Sequence, residues 1–170
     1  MFDASREEND MTGEGSGTAY RVLERGVWGA HRTGVGDRGA VALLCDATRA
    51  LVTRMCRAEL APAMGVPAAD SVAAGVLPVA IAAVLSDRVR SPLRVVYTET
   101  VLGVEAVRPY VTPPGPMDGL SRHERDVLVL RTAVGLSAVQ AGEALGCSVE
   151  QVHRDQHSAL QKLRNVRVCG

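Results

Sequence analysis

Apolar side chains recur at three- and four-residue steps in the first part of this 170-residue chain that shows a regular pattern. Between residues 37 and about 60 the repeat predicts an amphipathic helix with an apolar face toward a core. The positions of that face are Val41, Leu44, Cys45, Thr48, Leu51, Val52 and Met55. Arg49, Arg54 and Arg57 fall on the opposite face. A loop is expected at 61–67, then a helix over 68–85 that Pro78 should kink, and a third helix over 93–107.

Three serines, each followed by Glu or Gln three positions later, mark the second part of the chain as helical. Such capping boxes satisfy the first backbone N–H groups of a helix. They predict helices over 122–133, 138–145 and 149–165, with Gly135 and Gly146 ending the first two. The boxes are Ser121 with Glu124, Ser137 with Gln140, and Ser148 with Gln151. Residues 93–107 contain enough β-branched side chains to form a helix or a strand, and we predict a helix because the neighbouring segments are helical, so the fold class is all-α.

The last two of these helices have the spacing of a helix-turn-helix, with a tight turn at 145–148. In the longer helix one stripe is apolar and is expected to face inward: Val149, Val152, Ala159, Leu160 and Leu163. The other stripe is polar and is expected to face outward: Gln151, Arg154, Asp155, Ser158 and Lys162. Such a helix can enter the major groove of DNA, whereas an ordinary three-helix bundle would explain the same spacing without any DNA contact.

Composition divides the chain into four parts. Residues 1–36 contain four basic and six acidic side chains and are expected to form a partly disordered tail. Four prolines between Pro109 and Pro116 predict an extended linker over 109–119. The linker separates a helical domain over 37–108 from a second one over 120–167. The architecture expected is therefore two small helical domains.

The chain has 19 basic and 19 acidic residues, and its zero net charge removes the simplest argument for nucleic-acid binding. The N-terminus lacks the features of a signal peptide, and the most apolar stretch, 72–85, is expected to be too short for a membrane span. The scattered cysteines suggest reduced thiols and a cytoplasmic location. Catalytic and phosphate-binding motifs are absent, and His153 with His157 lacks a third ligand, so we expect no enzyme, cofactor, metal site or small-molecule substrate.

Four short segments carry a family resemblance: 120–131 (LSRHERDVLVLR), 135–137 (GLS), 144–149 (ALGCSV) and 157–164 (HSALQKLR). Together they resemble region 4 of the bacterial sigma-70 factors, most closely the extracytoplasmic-function (ECF) group. The resemblance implies core RNA polymerase and promoter DNA as partners, and it leaves an anti-sigma factor open as a third. It places Gln151, His153, Arg154 and His157 at DNA-recognition positions and gives Arg131 and Lys162 contacts to the DNA backbone.

Residues 37–110 are similar, more distantly, to sigma region 2. The resemblance puts a polymerase-binding helix near Asp70, Val72 and Val76, and a promoter-melting helix at 93–108. Several polar positions of the family pattern are replaced here, by Ala74, Gly75, Leu102, Gly103 and Ala106. Tyr97 is the aromatic residue that remains in the melting segment.

These departures leave three hypotheses. The first is a sigma-type initiation factor that binds polymerase and promoter DNA. The second is a degenerate sigma-like protein that docks on polymerase or another regulator without melting promoters, since base-stacking groups are needed to offset the cost of unstacking DNA. The third is a helix-turn-helix protein that binds duplex DNA without polymerase.

Overall fold

The computed structural model describes residues 38–87, 90–108, 117 and 119–168. Within these residues the chain forms helices and no strand, which confirms the all-α prediction. The predicted acidic tail lies outside the described residues, and so does nearly all of the predicted linker.

Three helices form the N-terminal unit: α1 (Arg38–Met64), α2 (Val66–Ser86) and α3 (Pro92–Val107). The predicted loop at 61–67 is wrong, because α1 continues through Pro62 to Met64. The chain turns only at Gly65, whose φ of +83° suits glycine and strains other residues. Its N–H still bonds to the Ala61 carbonyl at 2.9 Å, so α1 and α2 meet with a single residue between them.

Helix α2 packs against both α1 and α3 and buries Ala69, Ala73, Val76, Ala80 and Val84. It runs through Pro78 as one helix of 21 residues with a mean hydropathy of 2.0. By length and composition it could cross a membrane, so the expectation that this stretch is too short was wrong. Apolar helices inside soluble proteins satisfy the same test, and α2 lies between two helices here.

The C-terminal unit contains α4 (Arg122–Leu128), a π-helical turn (Val129–Val134), α5 (Ala138–Leu145) and α6 (Val149–Val168). Gly135 and Gly146 adopt left-handed conformations and end their helices as predicted. The capping boxes at Ser121 and Ser137 are both complete. The local signals in the sequence therefore located these helices closely.

The two units share one hydrophobic core, although the sequence suggested two separate small domains. The π-helical turn packs on α1, and α5 packs on α3. Leu130, Val134 and Leu136 are at most 1% exposed and belong to the same cluster as the buried residues of α1 and α3. Burial of this kind is the main favourable term in association, so it holds the units in one relative orientation.

Candidate nucleic-acid interface

Helices α5 and α6 form a helix-turn-helix whose turn is fixed by two glycines. Gly146 ends α5, and its N–H bonds to the Gly142 carbonyl. A Cβ atom at Gly142 would lie 2.8 Å from the Cys147 carbonyl oxygen, so only glycine lets the turn approach α5 this closely. Val152 of α6 and Ala141 of α5 are fully buried between the helices. The predicted helix-turn-helix is therefore present.

Three of the predicted recognition residues are exposed: His153, Arg154 and His157. The fourth, Gln151, is half-buried. They occupy the N-terminal half of α6, the part that reaches base edges when a recognition helix enters the major groove. The structure thus brings all four to one end of the helix.

A network within α6 uses the Gln151 amide. Its Nε2 donates to the Asp155 carboxylate at 2.7 and 2.8 Å, and its Oε1 accepts from Arg154. The third predicted capping box is therefore only half formed. The Ser148 hydroxyl accepts from the Gln151 N–H at 3.3 Å, while the Gln151 side chain points along the helix to Asp155. The network orients Arg154 and provides the Asp155 carboxylate with hydrogen bonds from the Gln151 amide.

Glu124, which the sequence identified only as a helix cap, connects α4 to α6. Its carboxylate accepts from the Ser121 N–H at 2.7 Å, the Ser158 hydroxyl at 2.6 Å and the Lys162 ammonium at 2.7 and 2.8 Å. These donors lower the pKa of Glu124 to about 2. Glu124 therefore fixes the position of the recognition helix, and the capping-box glutamate was the one sequence signal that pointed to it.

The sequence suggested that the polar stripe of α6 faces outward. In the structure, part of this stripe contacts α4 instead. Asp155 lies 3.2 Å from the His123 Nε2 of α4, and Ser158 and Lys162 both contact Glu124. Leu160, expected to be buried, is 38% exposed. The side of α6 that contains Asp155, Ser158 and Lys162 therefore contacts α4. The solvent-exposed side contains His153, Arg154 and His157.

Comparison with known proteins shows what the C-terminal unit resembles. The family described as "Sigma-70, region 4" matches residues 117–165. We therefore call this segment region 4. A curated relative, the ECF RNA polymerase sigma factor ShbA of Streptomyces griseus subsp. griseus, is 49% identical over 45 residues. That match covers 26% of this chain and spans about a quarter (24%) of the relative's length.

A solved structure, described as CnrH in complex with the cytosolic domain of CnrY, resembles the whole chain. The TM-score is 0.53 at 18% identity, over 89% of this chain and 97% of that one. This similarity shows that the fold extends across both units. At 18% identity it speaks to the fold alone, while the sequence similarity to sigma-70 region 4 and to an ECF sigma factor lies in the C-terminal unit.

The side chains of Arg131 and Lys162 both form bonds to other residues of region 4. The Arg131 guanidinium donates to the Leu136 carbonyl and, at 3.2 Å, to the Gln156 Oε1. It thereby connects the end of the π-helical turn to α6. Lys162 is held by Glu124. Their contacts to a DNA backbone remain predictions. To make such a contact, each side chain would have to keep or give up the hydrogen bonds described above.

The predicted polymerase-binding residues lie on α2. Asp70 forms a paired ion bridge with Arg57 of α1 at 2.6 and 2.7 Å, which lowers the pKa of Asp70. Val72 is half-buried, and Val76 is buried against Gly103 of α3. Asp70 thus borders a groove between α1 and α2, whereas Val72 and Val76 are not among the residues that line it. Their role with polymerase remains a prediction.

A polar cluster lies between the N-terminal unit and region 4. The Tyr97 hydroxyl of α3 donates to the Asp126 carboxylate of α4 at 2.8 Å. Burial raises the pKa of both groups. On α1, Glu59 pairs with Arg108, and burial raises the pKa of Glu59 despite that partner. Arg54 of α1 donates to the Val134 carbonyl at 3.1 Å.

Proposed function

We propose that the chain is an initiation factor of the sigma-70 type, similar to the ECF group, that binds core RNA polymerase and promoter DNA in the cytoplasm. The observation that carries this proposal is the exposed face of α6, with His153, Arg154 and His157, in the segment that matches region 4. The neighbouring turn and α5 would position this face against the duplex.

DNA recognition is assigned to the N-terminal half of α6. Arg154 can donate two hydrogen bonds to the N7 and O6 of guanine, the commonest specific contact of an arginine in the major groove. For Gln151 to read adenine, its amide must exchange its bonds to Asp155 for bonds to the base. Glu150 is exposed, and hydrogen bonds from backbone N–H and from Ser148 lower its pKa, so it stays ionised. Its negative charge repels DNA phosphates at the start of α6, which helps to set the position of the helix along the duplex.

Polymerase binding is assigned to the outer surface of the N-terminal unit. The groove between α1 and α2 combines apolar side chains with the Arg57–Asp70 pair, as protein interfaces commonly do. Asp70, which lines this groove, and Val72 on the same helix are the candidate contacts, while Val76 packs against Gly103 of α3. The Asp70→Ala substitution should weaken co-purification with core polymerase. Ser71→Ala, an exposed neighbour on the same helix, should not change it.

A second function, docking on polymerase without promoter melting, is favoured by the state of Tyr97. Its hydroxyl is bonded to Asp126 of region 4 rather than exposed at the position where a flipped base would stack. Ala74 and Gly75, which replace polar residues of the family, lie on the exposed face of α2. The Tyr97 bond reduces what the N-terminal unit could offer to single-stranded DNA, and the replacements at 74 and 75 leave a regulator other than polymerase open as the docking partner.

Permanganate footprinting on complexes of the full chain with core polymerase separates these two functions. Reactive thymines at promoters selected from a genomic library would support initiation. Stable co-purification without reactive thymines would support docking alone. Absence of binding to both polymerase and DNA would contradict both functions.

An anti-sigma factor is the remaining proposed partner. CnrH, which shares this fold, was solved in complex with the cytosolic domain of CnrY. Because the two units of this chain share one hydrophobic core, we propose that such a partner spans both of them. Its binding should protect amides of α2 and α6 together in hydrogen exchange, and protection limited to one unit would argue against such a mode.

A matched pair of arginine substitutions tests DNA recognition by α6. Arg154→Ala should lower affinity for a selected duplex more than for a scrambled one, because a base contact is lost. Arg49→Ala removes the same charge from an exposed position on the N-terminal unit and should leave both affinities unchanged. Equal effects of the two substitutions would contradict the assignment.

A further inference from the structure

One arginine of the N-terminal unit lies on the turn of the helix-turn-helix. The Arg94 side chain, in the first turn of α3, lies against Gly146, between α5 and α6. A Cβ atom added at Gly146 would be 2.6 Å from the Arg94 Cζ and 2.8 Å from its Nη2. The missing side chain of Gly146 thus leaves the space that the guanidinium occupies.

Packing between the units fixes Arg94 in this place. Its neighbours on α3, Leu93 and Val95, are 2% and 1% exposed. They belong to the same apolar cluster as Leu145 and Cys147, which flank Gly146. Arg94 therefore moves with the helix-turn-helix as part of one body, although it belongs to the other unit.

The Arg94 residue is exposed, and no carboxylate among the residues described here forms an ion pair with it. Arg90, at the same end of α3, is instead neutralised by Asp87 at 2.6 Å. The α3–α5 contact thus places an uncompensated positive charge beside the turn.

This charge is close to where a duplex must lie. Gly146 precedes the first residue of α6 by three positions, so the two Cα atoms are at most about 11 Å apart. When the start of α6 enters a major groove about 12 Å wide, the phosphates at the edge of the groove come within reach of a guanidinium on the turn. Arginine matches phosphate geometry with two parallel hydrogen bonds.

We propose that Arg94 of the N-terminal unit is a DNA-backbone contact of the helix-turn-helix, so that the DNA-binding surface is a composite of both units. This inference rests on the proposed promoter binding by α6. It assigns to the first turn of α3 a role with duplex DNA that is separate from base stacking at Tyr97.

The test measures binding of the full chain, with and without core polymerase, to a labelled duplex selected from a random pool at several salt concentrations. Arg94→Ala should weaken binding about fivefold to tenfold on selected and scrambled duplexes alike, because a phosphate contact carries no sequence information. It should also reduce the slope of log K against log salt by about 0.9. Arg94→Lys should restore most of that slope. The control is Arg38→Ala, at an exposed position of the N-terminal unit that does not line the groove between α1 and α2.

The outcomes separate this inference from the proposed function. If Arg154→Ala weakens binding but Arg94→Ala behaves like Arg38→Ala, the composite surface is wrong and recognition by α6 stands. If Arg94→Ala lowers thermal stability and leaves the salt slope unchanged, Arg94 serves only the end of α5, which also overturns the proposal. If no duplex is selected with or without polymerase, both the proposed function and this inference fail.

Discussion

The Tyr97 hydroxyl donates a 2.8 Å hydrogen bond to the Asp126 carboxylate, and this bond joins α3 to α4 across the boundary between the two units. Both residues are partly buried, and 29 positions separate them in the chain. A charged acceptor in such a place depends on its donor, because its own desolvation is unfavourable.

Removing the Tyr97 hydroxyl should loosen the contact between the units. We expect Tyr97→Phe to lower the free energy of unfolding by about 1–2 kcal/mol, as for a hydrogen bond to a charged group. A double-mutant cycle with Asp126→Asn, followed by urea denaturation, should give a coupling of about 1 kcal/mol. Additive effects of the two substitutions would show that the bond contributes nothing. Glu105→Gln, at a more exposed ion pair between the same units, should cost less than about 0.5 kcal/mol.

Glu124 should make the position of α6 sensitive to acid. Its pKa in the folded state is about 2, below the value near 4.3 expected when unfolded, so it stabilises the fold above the unfolded pKa. Glu124→Gln should cost roughly 2 kcal/mol near pH 7. The free energy of unfolding of this variant, measured by urea denaturation, should approach that of the wild type as the pH falls from about 4.5 toward 2. A difference independent of pH would contradict the role of this carboxylate.

Two glycine substitutions should have opposite effects on the N-terminal unit. A Cβ atom at Gly103 would overlap the Cγ2 methyl of Val76, so Gly103→Ala should destabilise by about 1–3 kcal/mol. Nothing lies within 4 Å of a Cβ at Gly75, so Gly75→Ala should stabilise α2 by up to about 1 kcal/mol. Thermal denaturation measures both. Val76→Ala should partly rescue Gly103→Ala, and failure of that rescue would argue against the α2–α3 contact.

The Cys56 thiol should resist modification in the folded protein. Burial and the nearby carboxylates of Asp70 and Glu59 raise its pKa to about 11, so almost no thiolate is present at pH 8. In a variant with Cys45, Cys147 and Cys169 replaced by serine, Cys56 should react with a disulfide reagent only at the rate of unfolding. Reaction at pH 8 as fast as that of an unfolded cysteine would contradict this burial.

Much of the local structure of the helix-turn-helix was predictable. The Ser121 and Ser137 capping boxes and the left-handed Gly135 and Gly146 act within a few residues, so a short stretch of sequence contains all their atoms. The Ser148 box failed because Gln151 had a competing partner, Asp155, one helical turn further along. The loop expected at 61–67 is absent because α1 continues through Pro62 to Met64 and only Gly65 separates it from α2.

The sequence by itself determined that the chain is helical, the ends of the helices of the C-terminal unit and the resemblance to region 4, because these depend on neighbouring residues and on a pattern preserved in order. Only the tertiary structure decided that Glu124 holds α6, that Tyr97 bonds to Asp126 and that Arg94 rests on Gly146. Those pairs join residues 29 to 52 positions apart. Their contact depends on how the apolar faces of the two units pack, and helical periodicity gives the face of each helix but not its partner.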